Sequence, residues 1–158
     1  MQYRQLALAL FTATLSLSAA AATFACPDLA TVVQVNACPT EEELRHTYSG
    51  FCSDDAKAYA RETDSCVRYE DYRQKKNLAR WESKDGEFDG YLACDLTAGR
   101  FKALRVTSMK LAQQGKLAKV VCGYPDGIVF TFRTKAVCAI DNEKACAADA
   151  ATCRATCN

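Results

Sequence analysis

All ten cysteines of this 158-residue chain lie at or beyond residue 26, and that distribution constrains the fold more than any other feature. They are Cys26, Cys38, Cys52, Cys66, Cys94, Cys122, Cys138, Cys146, Cys153 and Cys157. An even set this dense, in a segment the size of one domain, reads as a disulfide framework if the chain folds in an oxidising compartment. Full pairing predicts five cross-links, each typically worth about 2–4 kcal/mol. The spacing leaves the connectivity open. It does exclude some chemistry. No C-x-x-C occurs, so there is no thioredoxin-type redox motif, no covalent haem motif and no zinc knuckle. Cys146, Cys153 and Cys157 with His46 could supply four metal ligands, but oxidation favours sulfur pairing over free thiolates, and neither metal nor cofactor is expected.

The N-terminus supplies the oxidising compartment. Met1 to Arg4 is a short positive start, Leu6 to Ala19 an apolar run, and Ala19 to Ala22 a stretch of small residues with A-x-A spacing. These are the three parts of a cleavable export signal. Cutting after Ala22 fits, and cutting as late as Ala25 fits too. The apolar run is about 14 residues, short of the roughly 20 a membrane span needs, and no later run is long enough. The expected domain organisation is a signal peptide over 1–22 and a single disulfide-rich domain over 26–158. The Ala-rich signal is of the bacterial kind, which sets the location as periplasm or exterior. Lipidation of Cys26 is disfavoured by the Thr23-Phe24-Ala25 that precedes it and by the odd cysteine it would leave.

Without Arg4 the chain carries as many acidic as basic side chains. Nucleic-acid binders show a basic excess, so that partner is not expected. The average conceals an asymmetry. From Leu96 to Pro125 there is no acid, while Arg100, Lys102, Arg105, Lys110, Lys116 and Lys119 are basic. An ordinary solvated strand face would account for them, with lysine blunting an edge. They would equally serve as a contact surface for an acidic protein or an anionic envelope component.

Periodicity predicts an α+β architecture. Residues 26–76 read as helices with cysteines between them. Thr40 and Glu43 form a capping box in front of one helix, Ser53-Asp54-Asp55 starts a second, and a third runs from Cys66 to Lys76. Residues 77–138 then change to strand period, with turn signals at Asp85-Gly86, Ala98-Gly99, Gln114-Gly115 and Pro125-Asp126-Gly127. Strands are expected at 77–83, 87–95, 100–111, 117–124 and 128–138, joined as a five-stranded antiparallel meander. The alternation slips near Ala103-Leu104, as at a bulge. Residues 141–157 read as an Ala-rich helix with Cys146, Cys153 and Cys157 on one face, stapled to the domain through sulfur.

Catalytic groups are sparse. His46 is the only histidine, and no G-x-S-x-G elbow surrounds a serine. Glu41 to Glu43, Asp54-Asp55 and Glu82 to Glu87 could provide paired carboxylates, yet each stands where a helix start or a turn needs acids. No catalytic residue is assigned. The tyrosines Tyr48, Tyr59, Tyr69, Tyr72, Tyr91 and Tyr124 suit half-wet contact positions. The expectation is an exported, disulfide-stabilised binding protein, such as an inhibitor or immunity partner of a hydrolase or a small component of an envelope complex. The alternative is a small secreted enzyme or toxin using carboxylates or His46.

Overall fold

A computed structural model describes residues 21–53 and 64–158. It is a mixed helix and sheet structure in which two antiparallel sheets share one core. The larger sheet contains β2 (Val33–Gln34), β3 (Leu78–Glu82), β4 (Asp89–Ala93), β5 (Ser108–Gln114), β6 (Leu117–Gly123) and β7 (Val129–Thr134), in the spatial order β2-β3-β4-β7-β6-β5. The smaller contains β1 (Ala22–Phe24), β8 (Cys138–Ile140) and β9 (Ala155–Cys157), with β9 in the middle. Helices α1 (Glu41–Cys52), α2 (Tyr69–Lys76), α3 (Ala98–Phe101) and α4 (Glu143–Ala148) connect and cover the strands. The second expected helix, from Ser53-Asp54-Asp55, falls outside the described residues apart from Ser53.

The start of α1 is built as the sequence specifies. The Thr40 hydroxyl accepts from the Glu43 backbone N–H at 3.2 Å, and the Glu43 carboxylate accepts from the Thr40 N–H at 2.7 Å. Two otherwise orphaned donors are satisfied by one pair of side chains.

The strands are antiparallel, but they do not form a simple meander. The β3–β4 hairpin and the β5–β6–β7 meander are both present, and β4 lies against β7 instead of β5. The reason is in residues 98–107. The sequence predicts a turn at Ala98-Gly99 and a strand from residue 100; the chain forms α3 and an irregular segment instead. Phe101 on α3 is buried, with its ring edge-on to Trp81 at 4.9 Å. Burying that ring carries the chain across the core face of the sheet, so β5 starts at the far edge. The slip at Ala103-Leu104 is this crossing, not a bulge.

The last expected strand also divides. After Thr134 the chain bends, with the Thr134 hydroxyl accepting from the Ala136 N–H at 3.1 Å. Residues 138–140 then join the smaller sheet. The C-terminal helix is shorter than its alanine content predicts. At Asp149 the backbone turns extended, and the Asp149 side chain accepts from the Ala151 N–H to start a 3-10 turn over Ala150–Thr152. The chain then runs as β9, so Cys146, Cys153 and Cys157 do not share one helical face.

All ten cysteines are paired, as expected: Cys26–Cys122, Cys38–Cys94, Cys52–Cys66, Cys138–Cys157 and Cys146–Cys153. The sulfur that a lipid on Cys26 would require is bonded to Cys122. No helix among the described residues is long and apolar enough to cross a membrane.

The core lies between the sheets. Val120, Cys122 and Phe130 form one buried cluster with Leu29, Val32, Cys153, Ala155 and Cys157. The Phe24 ring on β1 stacks on Phe132 at 4.1 Å. Packing is closest at Gly90. A Cβ there would lie 2.5 Å from the Val129 carbonyl oxygen and 3.1 Å from the Phe130 ring, so the backbones of β4 and β7 meet only because this residue has no side chain.

Candidate binding surface

The β5–β6 hairpin carries Lys110, Lys116 and Lys119 and no acidic residue. Its turn is Gly115-Lys116, between the paired residues Gln114 and Leu117. Gly115 has φ +58° and Lys116 a negative φ, the pattern of a II′ turn, which matches the twist of the flanking strands. A two-residue turn fixes the register, and all seven residues of β5 pair with all seven of β6. Side chains opposite each other share a face. Met109, Leu111 and Gln113 face the smaller sheet with Ala118, Val120 and Cys122. Lys110, Ala112 and Lys119 face outward with Val121, Thr131 and Arg133.

The structure distributes the six basic residues over four places. Lys110 and Lys119 share the outer face, and Lys116 projects from the turn beside them. Arg100 is near the other end of the sheet, paired with Asp126 at 3.0 Å in the β6–β7 connection. Arg105 approaches Asp28 at 3.7 Å. Lys102 sits over Trp81, 5.9 Å from the ring centre, on the core side. β6 separates the Lys116 turn from Asp126 by seven strand residues, about 20 Å of chain. One flat partner surface therefore gathers the three lysines, while Arg100 and Arg105 are each satisfied within the fold.

Two cations escaped the sequence argument. Arg133 lies directly opposite Lys119 on the outer face, and Lys135 follows at the β7–β8 bend. The signal was available, since from Leu96 to Ile140 the sequence contains one acid, Asp126. Elsewhere the outer face is neutralised. Arg80 reaches both Glu82 at 2.7 Å and Asp89, and Asp89 also accepts from Arg133. The uncompensated charge is thus concentrated at the β5 edge and the hairpin tip.

Next to that edge is an open groove of about 270 Å³, lined by Leu111, Ala112, Gln113, Lys116, Ala118 and the 135–138 segment. Leu111 and Val137 are large apolar side chains left 38% and 79% exposed. The groove has an apolar floor and a rim carrying Lys116 and Lys135. None of its lining residues is acidic.

The catalytic candidates have structural occupations. Glu41 pairs with Arg45 and Arg73. Its carboxyl is held below the usual range by the Tyr69 hydroxyl and these two guanidiniums. Glu43 is held low by the Thr40 cap. Glu82 pairs with Arg80, and Asp85 accepts from the Ser83 hydroxyl and the Glu87 N–H to close the β3–β4 turn. His46 is exposed on α1. Asp54 and Asp55 lie outside the described residues. No group of three His, Cys, Asp or Glu among the described residues could hold a metal ion.

Of the tyrosines, Tyr48, Tyr69 and Tyr72 pack on one another between α1 and α2, and Tyr59 lies outside the described residues. Tyr124 is buried, donates to the Pro27 carbonyl at 2.5 Å and has its phenol pushed well up by burial. Tyr91 is 60% exposed on the outer face of β4.

Comparison with family models, with curated proteins and with solved structures finds no match. The functional reading therefore rests on this chain's own residues.

Proposed function

We propose that the chain is an exported, disulfide-braced binding protein that captures an acidic partner through the β5–β6 hairpin. An inhibitor or immunity partner of an exported hydrolase, or a small component of an envelope complex, would use such a surface. One observation carries the reading: Lys110, Lys116 and Lys119 stand together, beside an apolar groove, in a part of the sheet that has no acid to neutralise them. The secreted-enzyme alternative has less behind it, because Glu41, Glu43, Glu82 and Asp85 hold a cap, a turn and ion pairs.

Export supports the same reading, since five disulfides need an oxidising compartment. The fold also bears on the processing site. Ala22, Thr23 and Phe24 pair with Cys157, Thr156 and Ala155. A cut after Ala25 would remove β1 and the Phe24–Phe132 stack; a cut after Ala22 retains that ring. Intact mass of the exported protein is expected to give a chain beginning no later than Thr23. A chain beginning at Cys26 would contradict this. Made deliberately, that shorter chain is expected to lose about 1–2 kcal/mol from the exposed Phe132 surface.

Reversal of the lysines tests the surface itself. Lys116→Glu with Lys119→Glu should leave the melting temperature nearly unchanged, because Lys116 is exposed and Lys119 half-exposed on the outer face, and surface charges alter folding by less than about 0.5 kcal/mol. Lys119 faces Arg133 across the ladder, so the reversal replaces a repulsive pair with an attractive one. Immobilised wild-type protein should retain a stoichiometric partner from the extracytoplasmic fraction at low salt. The reversed protein should associate with it at least about tenfold more slowly. The difference should vanish near 1 M salt, where the Debye length is about 3 Å. An unchanged association rate at low salt would make the hairpin an ordinary solvated face.

A further inference from the structure

β5 is the terminal strand of its sheet, and among the described residues no strand pairs with its second edge. All its residues beyond Met109 are exposed. The register identifies which backbone groups are unused. Gln114 and Leu117 flank a two-residue turn and so exchange both hydrogen bonds, and pairs of that kind alternate along an antiparallel ladder. Ala112 and Lys110 therefore bond inward to β6. Met109, Leu111 and Gln113 direct their N–H and C=O groups outward. An open edge of this kind is a template for another extended chain.

The two faces of β5 differ in chemistry, and a strand added beside it would present alternate residues to each. Those opposite Leu111 and Gln113 would face the groove with the exposed Leu111 and Val137. Those opposite Lys110 and Ala112 would face outward. There Lys110 is adjacent, and Lys119 stands opposite the small Ala112 on the next strand. Resting on the binding function proposed above, we infer that the partner contributes an extended segment of alternating apolar and acidic residues, which pairs with β5 as a seventh strand of the larger sheet. Backbone bonds would hold the segment, the groove would take its apolar side chains, and the lysines would select its acids.

The test uses the full mature protein and end-blocked, fluorescently labelled nonapeptides. One alternates valine and glutamate, one alternates valine and lysine, and one has the first composition in scrambled order. Anisotropy should detect binding of the valine–glutamate peptide, at least about tenfold tighter than either control at low salt. Amide resonances of Leu111 and Gln113 should shift on binding and become protected from exchange.

Gln113→Pro removes an outward N–H and blocks the edge without touching the bonds to β6. It should retain the wild-type melting curve and weaken the peptide at least about fivefold, the equivalent of one lost hydrogen bond. Val129→Ala, on the outer face of β7 and away from this edge, should bind as wild type does. Equal binding of all three peptides, or full affinity in Gln113→Pro, would overturn strand addition. The natural partner separates this failure from that of the broader reading. If Lys116→Glu with Lys119→Glu releases the partner while Gln113→Pro retains it, charge capture stands and strand addition falls. If neither substitution affects capture, both readings fall.

Discussion

Replacing Cys26 and Cys122 together with alanine is expected to cost more stability than removing any other of the disulfides. The bond joins residues 96 apart in sequence, against 14 for Cys52–Cys66 and 7 for Cys146–Cys153. In the chain-entropy picture a loop near 100 residues is worth about 4.7 kcal/mol and one near 15 residues about 3 kcal/mol. Cys122 is also fully buried near the C-terminal end of β6, so its sulfur is packing as well as cross-link. Cys26 ties the segment that follows β1 to that strand. Urea unfolding should show the largest fall in midpoint for this double variant. The urea dependence should steepen as well, because the unfolded chain can expand. Removing Cys52–Cys66 should leave the sheets cooperative and cost less. Equal losses from the two pairs would show that native packing, not loop length, sets the worth of these bonds.

Phe130→Ala is expected to cost about 3–5 kcal/mol, in the range for a large ring removed from a core that cannot collapse. The ring is 0% exposed, lies 3.1 Å from where a Gly90 side chain would begin, and meets Tyr124 edge-on at 6.1 Å. The neighbouring backbones belong to a paired sheet and cannot move in to fill the space. Val129→Ala, one residue away on the outer face and 41% exposed, should cost under about 1 kcal/mol. A second readout is specific to the site. Burial is what raises the Tyr124 phenol, so a cavity beside it that admits water should let it ionise at lower pH in an absorbance titration. An unshifted Tyr124 with a small stability loss would mean that the core repacks around the missing ring.

The parts of the fold that were legible in the sequence are those decided locally. The Thr40–Glu43 capping box, the Gly115 turn and the strands 78–82, 89–93 and 117–123 follow from spacing and turn chemistry within a few residues. Sulfur pairing was legible as a fact, though not as a connectivity. What was not legible depends on distant partners. Residues 98–101 lack a decisive helix signal, and they are helical because Phe101 is needed over Trp81. Residues 155–157 extend an Ala-rich run of excellent helix formers, yet they are a strand because β1 and β8 each offer an edge to pair. The basic surface shows the same division. Charge counts along the chain picked out Lys110, Lys116 and Lys119, but included Arg100 and Arg105, whose acids come from residues 126 and 28. Arg133 and Lys135 were missed because they lie outside the acid-free run as first delimited, beyond Asp126.

The placement of β9 has a consequence for how the molecule is made. This strand comes last in the sequence and is the middle strand of its sheet, hydrogen-bonded to β1 on one side and β8 on the other. β1 comes near the beginning of the described chain, more than 130 residues earlier by the Thr23–Thr156 pairing. A polypeptide that appears N-terminus first can form the β3–β4 and β5–β6 hairpins as it emerges, but the smaller sheet cannot close until residues 155–157 are out. Until then the inner faces of β6 and β7 have no cover from Ala155 and Cys157. Cys138 is still waiting for Cys157, 19 residues further along the chain. Folding is therefore completed in one late, long-range step, of the kind that high sequence separation makes slow, and molecules stalled before it would be the ones a thiol-oxidising catalyst and a protease compete for.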